Sequence, residues 1–159
     1  MDGNDYVLKN LKVNGKGLFA MAKWVNFSNI RLEDFTLNAS GASDVGALVG
    51  QMTGGSMNNC GVYLATYYQD ASGAKRYYNQ DQNATYGNEM AAHYATMVIK
   101  GKTNVGGLVG AAFSGVTISD CYAAVQVQGT EQVGGLVGQA NDCTVTNSYA
   151  SGDVYASGN

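Results

Sequence analysis

Apolar residues and glycines recur along the chain in a six-residue pattern. Val105-Gly-Gly-Leu-Val-Gly110 returns unchanged as Val133-Gly-Gly-Leu-Val-Gly138 and with one substitution as Val45-Gly-Ala-Leu-Val-Gly50, while Gly17-Leu-Phe-Ala20 is a blurred copy. The two identical copies start 133 − 105 = 28 positions apart, and similar segments follow them, at 117–123 and 144–150. Self-similarity at such a period predicts a solenoid, in which each repeat forms one coil.

Two columns of stacked residues follow from aligning the repeats. The leucines of the six-residue pattern predict one buried column, made of Leu18, Leu48, Leu108 and Leu136. The second column consists of Asn or Asp residues that follow an apolar residue by two positions, namely Asn10, Asn29, Asn59, Asp120 and Asn147. Asn and Asp tolerate the left-handed backbone region. We therefore predict that they form the corners between strands, with a ladder of side-chain hydrogen bonds along the stack.

Each repeat divides into short β-rich runs, approximately 107–110, 116–123 and 124–128, joined by glycine and polar turns. Strands this short cannot bury an apolar face alone, but each can pair with its equivalent in the next coil, ~4.8 Å away. The sequence therefore predicts an all-β fold, a parallel β-helix with about 28–30 residues per coil. On this alignment Cys60 and Cys121 occupy equivalent corners of neighbouring coils, where we expect two reduced thiols.

One long insertion interrupts the repeats, over about 63–97. The interval from Cys60 to Val105 is 105 − 60 = 45 positions, whereas that from Cys121 to Val133 is 133 − 121 = 12. The segment holds seven of the eleven tyrosines, and 88–97 has the composition of a short helix. Solenoid insertions often carry binding, and tyrosine mixed with Ser, Gly and Asn is typical of binding loops. The candidate binding residues are Tyr67, Tyr68, Tyr77, Tyr78, Tyr86 and Tyr94. Alternatively, these tyrosines cover a flank of the coil.

Charge and composition narrow the possible partners and cofactors. Only 13% of residues are charged and the net charge is −3, so the chain lacks the basic stripe that binds nucleic acid. The three cysteines have no zinc-site spacing, and we expect no metal or cofactor. No apolar run is long enough to span a membrane, and residues 1–6 lack the basic and apolar segments of a signal peptide.

A catalytic function would need clustered carboxylates or a proton acceptor on one outer face. The aspartates share no common column, and His93 is the single histidine, so the pattern favours a non-enzyme. Two alternatives stay open beside a binding module. One is a polysaccharide-processing β-helix enzyme, and the other is a passive structural stalk with no ligand.

The three hexapeptides, each leading to an apolar-x-(Asn/Asp)-(Cys/Ser) corner, resemble the GLUG motif repeats of bacterial surface proteins such as adhesins. The likeness is close over Val105 to Asn159 and loose over Gly17 to Gly50. It implies a right-handed β-solenoid at the bacterial cell surface, with no catalytic residues. Together with the tyrosine-rich insertion, it favours a non-catalytic, adhesin-like module that binds a host protein or glycan. Repeat-like sequence starts almost at Met1, and 157–159 stop where a further hexapeptide could follow, so we expect residues 1–159 to be a single solenoid domain from a larger protein. We then expect an export signal outside this sequence and further repeats at the C-terminal edge.

Overall fold

Four parallel β-sheets run along the molecule in the computed structural model, which describes residues 1–65, 67–69, 72–77 and 93–158. Sheet I contains β1 (Val7–Lys9), β4 (Arg31–Glu33), β8 (Gly61–Tyr63), β14 (Tyr122–Ala123) and β18 (Tyr149–Ala150). Sheet II contains β2 (Lys12–Val13), β5 (Thr36–Asn38), β11 (Val98–Lys100), β15 (Gln126–Gly129) and β19 (Val154–Ala156). Sheet III contains β3 (Phe19–Ser28), β7 (Val49–Asn58), β13 (Val109–Ser119) and β17 (Val137–Thr146). Sheet IV contains β6 (Ser43–Gly46), β12 (Thr103–Gly106) and β16 (Glu131–Gly134).

The chain visits the four sheets in a fixed order, so each pass is one coil of a solenoid. From β5 in sheet II it continues to sheets IV, III and I before it returns to sheet II at β11. Phe19 pairs with Val49, a step of 49 − 19 = 30 residues, and Val105 pairs with Val133, a step of 28. The predicted all-β parallel solenoid with about 28–30 residues per coil is confirmed. The right hand of the coil stays a prediction.

Complete coils have four strands, where the sequence predicted three. The predicted strand 116–123 is divided at Asp120, where φ is 53° and the chain turns from β13 into β14. β13 runs without a break from Val109 to Ser119, because a shift in register between Phe113 and Val116 accommodates one extra residue. A bulge of this kind lets a strand continue through an interruption of its alternation.

The core consists of columns of apolar side chains that stack from coil to coil. Leu48 and Leu108 are fully buried, and the Leu48 N–H donates to the Leu108 carbonyl at 3.0 Å. Leu18 and Leu136 continue the column but are half-buried, because each has a coil on one side only. Leu37, Ile99 and Val127 form a second column with no exposed surface.

The corners between sheets III and I share one backbone geometry. Asn29, Asn59, Asp120 and Asn147 have φ values of 54°, 50°, 53° and 47°, in the left-handed region. The Asn59 N–H donates to the Ser119 carbonyl at 3.1 Å, and the Asp120 N–H donates to Thr146 at 3.2 Å. Asn59 Nδ2 also donates to Asn29 Oδ1 at 2.7 Å, whereas the carboxylate of Asp120 accepts from Asn58 Nδ2 at 3.1 Å. The side-chain hydrogen bonds thus join equivalent corner residues at Asn29 and Asn59, whereas Asp120 is bonded to Asn58, one residue before the corner.

Asn10 lies at a different corner, which corrects its predicted place in the ladder. Leu8 pairs with Leu32, and the Asn10 N–H donates to the Glu33 carbonyl at 3.0 Å. Asn10 therefore stacks beside Asp34, at the corner between sheets I and II, and both residues have φ of 55°. The local requirement is the same at both corners, namely a residue that tolerates the left-handed region. Sequence pattern alone cannot distinguish them, because the column is fixed by hydrogen bonding between coils.

Candidate functional site

The insertion leaves the coil at the corner between sheets I and II without disturbing the stack. Val62 pairs with Ala123 and Val98 pairs with Gln126, so a step of 98 − 62 = 36 residues corresponds to one of 126 − 123 = 3. The excess is 33 residues. On the near side β8 pairs with β4 and β14, and on the far side β11 pairs with β5 and β15. The coil therefore continues in register across the insertion.

Part of the insertion is an antiparallel hairpin, in which β9 (Tyr67–Gln69) pairs with β10 (Lys75–Tyr77). The backbones of Tyr67 and Tyr77 lie opposite each other, and Tyr68 lies opposite Arg76. Tyr78 and Tyr86 lie outside the described residues. Of the predicted helix over 88–97, residues 93–96 form one helical turn, and 88–92 also lie outside the described part.

Asp34 ties both stems of the insertion to the coil. Its Oδ1 atom accepts a hydrogen bond from the Ala65 N–H at 2.8 Å, where the chain leaves. The same oxygen lies 3.0 Å from His93 Nε2, where the chain returns. Thr36 Oγ1 adds a bond to the Thr96 carbonyl at 3.2 Å. Because these contacts hold the two ends side by side, the insertion emerges from a fixed point on the coil wall.

Tyr94 is an anchor of the returning stem. Its hydroxyl oxygen accepts a hydrogen bond from the Asp153 N–H at 3.0 Å, and the side chain is half-buried. Asp153 immediately precedes β19, so Tyr94 reaches along the wall to the last coil. Among the predicted binding tyrosines, Tyr94 thus has a packing position. The side chains of Tyr67, Tyr68 and Tyr77 lie outside the described part of the structure.

A row of tyrosines on the outer face of sheet I was missed by the sequence analysis. The ring centroids of Tyr63 and Tyr122 are 6.0 Å apart, and those of Tyr122 and Tyr149 are 5.7 Å apart in a stacked pair. Gly61 makes room for this row, because a Cβ there would lie 2.3 Å from the Tyr122 ring. Burial and the neighbouring Glu33 carboxylate raise the pKa of Tyr63 to about 12. The available signal was that Tyr122 and Tyr149 occupy the same repeat position.

Comparison with known families locates one of the repeats. A family model described as the GLUG motif matches residues 129–155, which run from the end of β15 into β19. The chain contains a GLUG motif. No curated protein and no solved structure matches this chain. The resemblance expected from the hexapeptides is thus confirmed for the last GLUG repeat, whose register with the preceding coils is given by the strand pairing.

Two buried thiols in the coils before the matched repeat are further candidate chemistry among the described residues. Cys60 and Cys121 are buried free thiols in neighbouring coils, and the Tyr122 N–H donates to the Cys60 carbonyl at 3.0 Å. A hydrogen bond with Cys60, together with burial, raises the pKa of the Cys121 thiol. The described residues contain no group of three or more His, Cys, Asp or Glu side chains placed to hold a metal ion. Nor does this part of the chain contain a helix long and apolar enough to cross a bilayer.

Proposed function

We propose that this GLUG repeat protein is a non-catalytic, adhesin-like surface module that presents the 63–97 insertion to a host protein or glycan. The observation that carries the proposal is the uninterrupted register on both sides of the insertion. A segment that contributed a strand to the wall would displace the coils that follow it. This segment instead adds 33 residues without shifting the pairing of the wall strands, and its described strands β9 and β10 pair with each other. Recognition loops are attached to rigid scaffolds in this way.

The contacts of the two stems with the coil favour a loop with a fixed base over a connection that is free at its base. Asp34 contacts both Ala65 and His93, and Tyr94 contacts the backbone of the last coil. A loop whose ends are held loses less conformational entropy on binding than one that is free at its base. The five candidate tyrosines other than Tyr94, four of them in two adjacent pairs, add large amphipathic contact area at low rotamer cost.

The location and partner class rest on resemblance and charge. GLUG repeats resemble modules of bacterial surface proteins, which supports an extracellular or cell-surface location. The net charge of −3 and the scarcity of basic residues favour a protein or glycan over nucleic acid as partner.

A glycan and host-protein array tests the proposal. The wild-type chain should bind a defined set of spots, and a variant with Tyr77→Ala, Tyr78→Ala and Tyr86→Ala should lose them while its melting temperature stays nearly unchanged. Tyr149→Ala is the matched control, since it removes an exposed tyrosine from the coil wall. Array binding that survives the triple substitution and disappears in the control would place recognition on the wall and refute the proposal.

A second candidate function is a structural brace, favoured by Tyr94. That tyrosine ties the insertion to the last coil through Asp153. If the remaining tyrosines pack in the same way, the triple variant will melt many degrees lower and the array will stay blank. A passive stalk would then be the better description of the module.

A further inference from the structure

A cleft on the coil wall, away from the insertion, has the size of a ligand site. It crosses sheet II near the turn into sheet IV and has a volume of about 420 Å³, within the roughly 300–1,000 Å³ range of small-molecule pockets. The side chains that matter for recognition come from four successive coils: Ser40, Lys100, Gln128, Thr130, Tyr155 and Ser157. Three coil spacings make it roughly 14 Å long, parallel to the solenoid axis.

The cleft exists because one turn of the coil is longer than its neighbours. Two residues, 101–102, connect β11 to β12, whereas four residues, 39–42, connect β5 to β6. The Ala42 N–H donates to the Ala39 carbonyl at 2.8 Å and closes this longer connection into a tight turn. The extra residues Ser40 and Gly41 lie at the tip of the turn, and Ser40 forms one end wall of the cleft. Tyr155 to Ser157 form the opposite wall.

The outward row of sheet II supplies the chemistry of the cleft. Lys100 pairs with Gln128, and Gln128 pairs with Tyr155. Their neighbours Ile99 and Val127 are fully buried, so Lys100, Gln128 and Tyr155 face outward by the alternation of a strand. Tyr155 is 52% exposed. The row therefore presents an ammonium group, an amide and an aromatic ring in succession.

The charge of Lys100 determines whether the cleft prefers an anionic or a cationic ligand. Lys100 is exposed and has no ion-pair partner among the described residues, and none of the described residues that line the cleft is acidic. The cleft is thus a positive point on a protein of net charge −3. An ammonium that is free of carboxylates favours an anionic ligand.

The other donors distinguish a sugar acid from a simple anion. Phosphate is usually held by converging backbone N–H groups or by arginine, with lysine as an added point charge. Here the Gly101 N–H donates to the Gln128 carbonyl at 3.0 Å, and the Thr130 N–H donates to the Lys102 carbonyl at 2.7 Å. With these backbone donors already engaged, the remaining groups are one cation, an amide, hydroxyls and a ring. That set matches a ligand with one carboxylate, several hydroxyls and an apolar ring face.

We propose that this cleft binds an acidic saccharide, with Lys100 paired to a sugar carboxylate, Gln128 and Thr130 bonded to hydroxyls, and the Tyr155 ring against the sugar. The site is separate from the insertion, so it would give the module a second contact with a glycan. Two weak contacts on one rigid body raise the avidity for a surface that displays both ligands.

The test is a titration of the full chain with a short galacturonic acid oligosaccharide, followed by calorimetry and by amide chemical shifts. The fully methyl-esterified oligosaccharide is the matched ligand, because it keeps the rings and loses the charge. We expect the acid to bind at least about tenfold more tightly than the ester, with shifts centred on Gln128 and Thr130. Lys100→Gln should abolish this preference. Lys12→Gln, at an exposed lysine of the same sheet in the first coil, should keep it.

Several results would overturn the proposal. Equal affinity for acid and ester, or an acid preference that survives Lys100→Gln, would show that Lys100 does not bind a sugar carboxylate. Absence of binding at millimolar ligand would show that the cleft is not a saccharide site. Displacement of the acid by equimolar inorganic phosphate would identify a general anion site and refute the assignment to a sugar.

Discussion

Truncation of Leu108 to Ala probes the stacked core directly. Leu108 has no exposed surface, and its backbone lies between those of Leu48 and Leu136, to which it is hydrogen-bonded on both sides. Removing a fully buried leucine side chain loses its transfer free energy and leaves a cavity, at a combined cost of ~2–5 kcal/mol. Gly107 precedes Leu108 and has no side chain, and the backbone is hydrogen-bonded on both sides, so few groups could relax into the space. We therefore expect about 3 kcal/mol or more.

Leu136→Ala is the matched variant, because it makes the same truncation in an identical hexapeptide. Leu136 is half-buried in the last described coil, so its loss should cost about half as much. Urea unfolding followed by circular dichroism measures both. A loss of about 3 kcal/mol corresponds to a drop of about 6–12 °C in melting temperature for a domain of this size. Equal losses for the two variants, or a larger loss for Leu136→Ala, would refute the stacked column.

Three further predictions concern the corner and the face of sheet I. Cys60 and Cys121 should be thiols in the native protein, and a mass deficit of two hydrogen atoms that reduction removes would contradict this. Gly61→Ala should cost ~1–3 kcal/mol because its Cβ would enter the Tyr122 ring, and a double-mutant cycle with Tyr122→Ala should recover most of the loss. The pKa of Tyr63 is raised to about 12, so its hydroxyl ionises at a lower pH in the unfolded chain than in the folded protein. The free energy of unfolding should therefore fall as the pH rises from about 10 to 12, and it should fall less in Tyr63→Phe.

Sequence pattern was sufficient wherever a residue interacts with its own repeat equivalent. Leu48 stacks on Leu108, and Asn29, Asn59, Asp120 and Asn147 share the left-handed corner. Both follow from periodicity, because equivalent residues of successive coils meet in a parallel stack. Asn10 shows the limit of this reasoning. Its local pattern suits either of two corners, and the choice depends on the register of β1 with β4.

Contacts between different repeat positions were not predictable. Asp34 meets His93 across 93 − 34 = 59 residues, and Tyr94 meets Asp153 across the same separation of 59. Neither pair shares a repeat position, so periodicity carries no signal for them. The cleft is also a product of unlike positions, since the longer turn at Ser40 follows β5 and the ring of Tyr155 lies on β19, three coils away. A candidate site built at such junctions requires the three-dimensional register.

Deletion of residues 65–97 tests the central claim that the insertion lies outside a continuous coil. The deletion joins Leu64 to Val98, as Val125 is joined to Gln126 in the next coil. The account predicts a β-rich protein that unfolds cooperatively near the wild-type temperature and has lost every array ligand that depends on the insertion. An unfolded product would contradict the claim that the coil is continuous without the insertion. Undiminished array binding would contradict the claim that the insertion is the recognition element.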